Sequence, residues 1–271
     1  MSRARPSPWR MWLPGAVATA WLPLIVASAA RWTLGVRFGP AWWAVAYAGV
    51  AYVAWRVWTW LPDNRPLAGG PPFAALGWGN ALSWLRGGLL ALVAASALTG
   101  QGLRPPALAV TALVYTLAAA LDLADGALAR RQGQVSRLGQ RLDLHLDGWG
   151  VFWASLAAVR SGQMPPWFLA VGLARPAYVL LGAAIRRLGR TPGGWRASPW
   201  RRWLAGTMMT FVAAALWPWW GPPLTTWVGC LISLPFLGHF ALDMVDLLRG
   251  PGGARPTTSA GRPAPSSRVQ G

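Results

Sequence analysis

Four aspartates lie in one stretch of the chain, DLADGALARRQGQVSRLGQRLDLHLD, at positions 122, 125, 143 and 147. Grouped carboxylates ligate hard divalent cations through oxygen, and a carboxylate in such a group takes a proton from a reacting hydroxyl. The spacing is suited to both tasks. Asp122 and Asp125 are three apart, and Asp143 and Asp147 are four apart, so on helices each pair occupies one face. RRQGQVSR between the pairs is polar and contains glycine, as a turn between antiparallel helices would. The two acidic faces are then expected to meet. Gly126 and Ala129 follow Asp122 at helical spacing, and Gly139 precedes Asp143 by four. Small residues at these places leave room for a ligand or let two helices approach closely. Arg130 closes the first acidic helix, where it pairs with a phosphate or marks the inner edge of a span.

The elements that must position these carboxylates are apolar. Of 271 residues, 54% are hydrophobic and only 12% are charged, against about 25% charged in soluble domains. The composition therefore predicts an all-α integral membrane protein. A lone carboxylate at the centre of a bilayer helix costs ~2.5–3.5 kcal/mol even on the lenient insertion scale, and four facing one another also repel. Bound cations relieve both costs. All-oxygen ligation suits Mg²⁺ or Mn²⁺, and ligand type alone also admits Ca²⁺. No Cys/His cluster favours zinc, and the single cysteine, Cys230, lies in an apolar run as a small buried residue would.

A span needs about 20 mostly apolar residues. Eight stretches qualify: 12–30, 41–61, 80–99, 106–129, 143–161, 165–186, 203–220 and 223–248. Pro and Gly punctuate the gaps, and Trp clusters at span ends suit the membrane interface. The first run resembles a secretory signal but is long for one, and is read as an uncleaved helix. Residues 1–62 then form an N-terminal extension with two spans, 63–249 a core with six, and 250–271 a disordered basic tail.

The chain contains 25 basic residues, all arginine, and a net charge of +18. With the N-terminus in the cytoplasm, Arg31, Arg37, Arg104 and Arg160 fall outside; Arg56, Arg86 and Arg175 fall within spans, and the other eighteen fall inside. The positive-inside rule selects this orientation. It predicts a multi-pass protein of the cytoplasmic membrane whose four aspartates face the cytoplasm. Arginine loops beside membrane helices account for the charge, and no nucleic-acid partner is expected.

Written as Asp122-x2-Asp125-Gly126-x2-Ala129-Arg130-x8-Gly139-x3-Asp143-x3-Asp147, the stretch resembles the signature of the CDP-alcohol phosphotransferases at every fixed position and gap. Nine fixed residues at fixed gaps make a specific match. Upstream, NALSWLRG, with Asn80, Ser83 and Arg86, resembles the opening of that family's first core helix. There Gly79 replaces a usual proline and Ser83 a threonine. The resemblance covers about 78–248 and implies a six-helix core.

The resemblance implies transfer of a phosphoalcohol from a CDP-alcohol, often CDP-diacylglycerol, to the hydroxyl of a small alcohol, releasing CMP. It assigns Asp122, Asp125 and Asp143 to two divalent metal ions. Asp147 becomes the general base and a further contact to metal. Gly126, Ala129, Arg130 and Gly139, with Asn80, Ser83 and Arg86 nearby, become the cytidine-diphosphate pocket. A homodimer among membrane lipids is also implied.

Other polar residues are less committed. His145 points away from the acidic face at i+2 and is read as a packing residue, as is His239. Asp243 and Asp246 are expected to pair with arginine loops. Arg56 snorkels. Arg175, midway along its span, either binds the acceptor's phosphate or headgroup or pairs with a protein oxygen. Competing functions are another metal and pyrophosphate membrane enzyme, such as a prenyltransferase, and a non-catalytic membrane binding or transport protein.

Overall fold

A helical hairpin carries the four aspartates. Its first arm is Ala107–Arg131 and its second is Arg137–Arg160. The connecting turn closes as the sequence suggests. Gly133 adopts a left-handed backbone with φ +61°. Its N–H donates to the carbonyl of Arg130, and the N–H of Gln134 donates to that of Ala129, the paired bonds of a Schellman end. Ser136 then caps the second arm, its Oγ accepting from the N–H of Gly139 at 2.9 Å.

The computed structural model describes residues 7–193 and 199–250. In chain order the helices are α1 (Pro8–Ala20), α2 (Leu22–Leu34), α3 (Pro40–Trp60), α4 (Trp78–Thr99), α5 (Ala107–Arg131), α6 (Arg137–Arg160), α7 (Leu169–Arg187), α8 (Pro199–Ala215) and α9 (Leu224–Arg249). The described residues contain no strand, only an isolated bridge between Pro66 and Ser136. The chain is an all-α integral membrane protein. The expected tail, 250–271, lies outside the described residues from 251 on, as do Arg3, Arg5 and Arg196.

Each of the eight expected spans overlaps a helix, although 203–220 runs past the end of α8 at Ala215. Five helical segments among the described residues are long and apolar enough to cross a membrane: Pro8–Leu34, Trp78–Thr99, Ala107–Arg131, Pro166–Arg187 and Leu224–Arg249. The stretches 41–61, 143–161 and 203–220 do not meet that standard, and the apolar part of α8 is shorter, Trp203–Ala215. The expected single helix 12–30 is instead two helices joined at Trp21. Pro23, in the first turn of α2, cannot donate to Thr19 and its ring crowds that carbonyl, so an uninterrupted helix is disfavoured there.

α4 is the central helix. It packs against α3, α5 and α6, and 78% of its apolar stretch is buried, against 22% for that of α9. α7 packs on α6 and α9, while α8 packs on α5, α6 and α9. The outward side of α9 carries Trp227, Leu231, Leu234 and Leu242, all exposed, as expected for a face turned to lipid.

Close crossings depend on small residues. A Cβ on Gly87 of α4 would lie 2.6 Å from Val53 of α3, and one on Gly49 of α3 would lie 2.7 Å from the Cβ of Ala91. Neither atom has room, so the helices approach at van der Waals distance through glycine. α3 also reaches α6, where the Tyr52 hydroxyl hydrogen-bonds His145 Nε2 at 3.0 Å.

Candidate active site

Gly79 lies in the first turn of α4, where that helix meets the end of α5. A Cβ there would fall 2.8 Å from the Cβ of Ala129 and 2.9 Å from the carbonyl oxygen of Asp125. One turn further along α4, Ser83 donates to Asp125 Oδ2 at 2.7 Å and to the Gly79 carbonyl at 3.1 Å. Arg86 follows on the same face and is 1% exposed.

The guanidinium of Arg86 enters the space between α5 and α6 and meets all four aspartates. Nη1 pairs with Asp122, stands 3.3 Å from Asp143 Oδ1 and 3.7 Å from Asp125 Oδ2. Nη2 donates to Asp147 Oδ1 at 2.8 Å and to the backbone carbonyl of Asp143 at 3.4 Å. The two acidic faces therefore meet, as their spacing requires, with an arginine between them.

Three of the carboxylates form the tighter group. Asp122, Asp143 and Asp147 each offer an oxygen, and these oxygens lie within 4.8 Å of one another. Asp125 stands beside them, buried and bonded to Ser83. One guanidinium does not neutralise four ionised carboxylates, so the oxygen-only donor set still suits divalent cations. The cluster is open on its α6 side: the side chains of Asp143 and Asp147 are 52% and 37% exposed, whereas that of Asp125 is 7% exposed.

The residues assigned by resemblance to the nucleotide pocket occupy one end of this hairpin. Asn80 is buried; its Nδ2 donates to Asn64 at 3.1 Å, and its Oδ1 accepts from Ser136 at 3.1 Å. Gly139 clears the way for it, since a Cβ there would lie 2.6 Å from Asn80 Oδ1. Ala129 lies against Gly79, and Arg130 curls over Gly126, where a Cβ would be 3.2 Å from Nη1. Arg130 is exposed at the end of α5. Thus Asn80, Ser83 and Arg86 hold the hairpin together, while Arg130 is open to solution.

Arg175 on α7 lies beside the second acidic pair. A Cβ on Gly148, the residue after Asp147, would be 2.7 Å from Arg175 Cγ. His145 does turn away from the acidic face and packs on Tyr52 and Trp60 of α3.

Two residues escaped sequence reasoning. Asn64 orders the loop before α4, donating to the Ala75 carbonyl at 2.9 Å while accepting from Asn80. Tyr115 on α5 is fully enclosed, and its hydroxyl has no hydrogen-bond partner among the described residues. Its signal was present: Tyr115 precedes Asp122 by seven residues, hence two turns along the same face.

A family model described as CDP-alcohol phosphatidyltransferase matches residues 78–237, more than half of the chain. No curated protein and no solved structure matches it. The matched region begins with α4 and contains Arg86, all four clustered aspartates and Arg175.

Proposed function

The chain belongs to the CDP-alcohol phosphatidyltransferase family, and from that premise we propose that it transfers a phosphatidyl group from CDP-diacylglycerol to a small alcohol and releases CMP. The observation that carries this reading is the convergence of Asp122, Asp143 and Asp147 within 4.8 Å, in the half of the α5–α6 hairpin nearer its turn. Membership and the helical architecture support a membrane transferase acting on a CDP-alcohol.

In this reading Asp122, Asp125, Asp143 and Asp147 hold two Mg²⁺ or Mn²⁺ ions, which would neutralise the pyrophosphate and polarise the phosphorus under attack. Asp147 accepts the proton of the acceptor hydroxyl. The acceptor oxygen forms a bond to the phosphorus that carries the diacylglycerol, and the bond from that phosphorus to the CMP oxygen breaks. CMP leaves with the electron pair. Asn80, Ser83, Arg86, Gly126, Ala129, Arg130 and Gly139 form the nucleotide pocket, with exposed Arg130 meeting phosphate. Arg175 receives the acceptor.

The reading extends to the whole chain. Residues 1–62 are an added segment, 63–249 the six-span core and 250–271 a tail. The site faces the cytoplasm and the protein pairs with a second copy. Replacing Cys230 by serine and placing single cysteines at exposed Gln132 or Gly162 would report the orientation through impermeant thiol reagents.

The direct test is CMP release from CDP-diacylglycerol by purified protein supplied in turn with candidate alcohols, with lipid products identified. Metal-dependent release is expected, and its loss in Asp143→Asn. Absence of release with every acceptor would favour a binding protein, and activity undiminished in Asp143→Asn would remove the site assignment.

A further inference from the structure

We propose that Arg86 is a built-in counter-cation of the four-aspartate cluster, which divalent ions must compete with, so that this one side chain sets how tightly the site holds metal. The inference rests on the metal-dependent reading above.

Arg86 is 1% exposed and lies on the most enclosed helix of the bundle. A guanidinium in that position is costly unless it is paired. The aspartates have the same difficulty with opposite sign. Their mutual contact offsets both costs.

Arg86 occupies carboxylate oxygens that could hold metal. Nη1 pairs with Asp122 and lies 3.3 Å from Asp143 Oδ1, while Nη2 donates to Asp147 Oδ1 at 2.8 Å. These are the three carboxylates whose oxygens gather within 4.8 Å as potential ligands. A cation arriving there faces a fixed positive charge a few ångströms away and competes for the same carboxylates. Like charges at such a separation repel by several kcal/mol at an effective dielectric constant of about 20. That energy is subtracted from the metal's binding.

One arginine against four carboxylates leaves the cluster short of positive charge. Arg86 therefore stabilises the empty site without saturating it, and a dication retains a net attraction. This role is separate from any contact that Arg86 makes with the donor nucleotide.

The sign of the effect tests the idea. If Arg86 merely shaped the site, its replacement would loosen metal binding. If it competes, replacement tightens it. Mn²⁺ binding to the purified full chain, without nucleotide, can be followed by electron paramagnetic resonance of the free ion. Arg86→Gln is expected to bind Mn²⁺ about tenfold or more tightly than wild type, given the charge removed. Its metal-free form should unfold at lower temperature, and Mn²⁺ should raise that temperature more than in wild type. Arg86→Lys retains a charge but presents one nitrogen where the arginine presents two to the carboxylates. It should bind Mn²⁺ with intermediate affinity, and it serves alone should the glutamine variant fail to fold. Equal or weaker Mn²⁺ binding in both variants overturns the competition while leaving the metal reading in place. Absence of Mn²⁺ binding in wild type and variants alike overturns both.

Discussion

Ser83 donates its hydroxyl to Asp125 Oδ2 at 2.7 Å while both side chains are buried. This bond joins α4 to α5 at the level of the acidic cluster. A hydrogen bond to a charged group contributes about 1.5–3 kcal/mol. Ser83→Ala is therefore expected to destabilise the protein by that order, read as a lowered unfolding temperature in detergent. Ser83→Thr, which restores the hydroxyl, should recover most of the loss. Equal instability of both variants would show that the bond contributes little.

A second prediction concerns Gly79. A Cβ at this position would stand 2.9 Å from a backbone carbonyl and 2.8 Å from the Cβ of Ala129. Neither neighbour is the end of a flexible side chain, so α4 and α5 must separate. Overpacking of this kind costs about 1–3 kcal/mol. Gly79→Ala should show that loss, and Gly79→Val a larger one. Because the same crossing sets the approach of Ser83 to Asp125, CMP release should fall with stability. A Gly79→Ala protein as stable as wild type would mean that the helices are free to adjust.

Local features of the site were legible because they depend on short spacing. Asp122 with Asp125, Asp143 with Asp147, the glycine-containing turn and the start of α4 all follow from helical period and breakers. The position of Arg86 did not follow. It meets Asp143 and Asp147 across 57 and 61 residues of sequence, and no local period reports how two distant helices rotate toward each other. The break at Trp21 illustrates a different limit. Pro23 was visible, but apolar content alone does not distinguish one helix from two joined end to end.

Tyr115 gives a third prediction. Its hydroxyl is buried without a partner among the described residues, and an unsatisfied buried polar group costs about 1–3 kcal/mol. Tyr115→Phe removes that group and keeps the ring in the core. Its unfolding temperature should equal or exceed that of wild type. Lower stability in Tyr115→Phe would mean that the hydroxyl is satisfied after all, for instance by buried water.

The last prediction follows from the placement of Arg175. Its aliphatic stem lies over Gly148, the residue after Asp147, where a Cβ would be 2.7 Å from Cγ. A residue that receives the acceptor beside the proposed base should affect the two substrates unequally. Arg175→Gln is expected to raise KM for the acceptor alcohol about tenfold or more, in keeping with a lost charge-assisted contact of about 1.5–3 kcal/mol. KM for CDP-diacylglycerol should change little. Gly148→Ala, which displaces the stem without removing the charge, should produce a smaller change in the same direction. Steady-state kinetics with each substrate varied separately distinguish this from a structural pairing of Arg175. Structural pairing would lower stability and affect both substrates alike. Parallel changes in both KM values would therefore assign Arg175 to the fold and leave the acceptor to other residues.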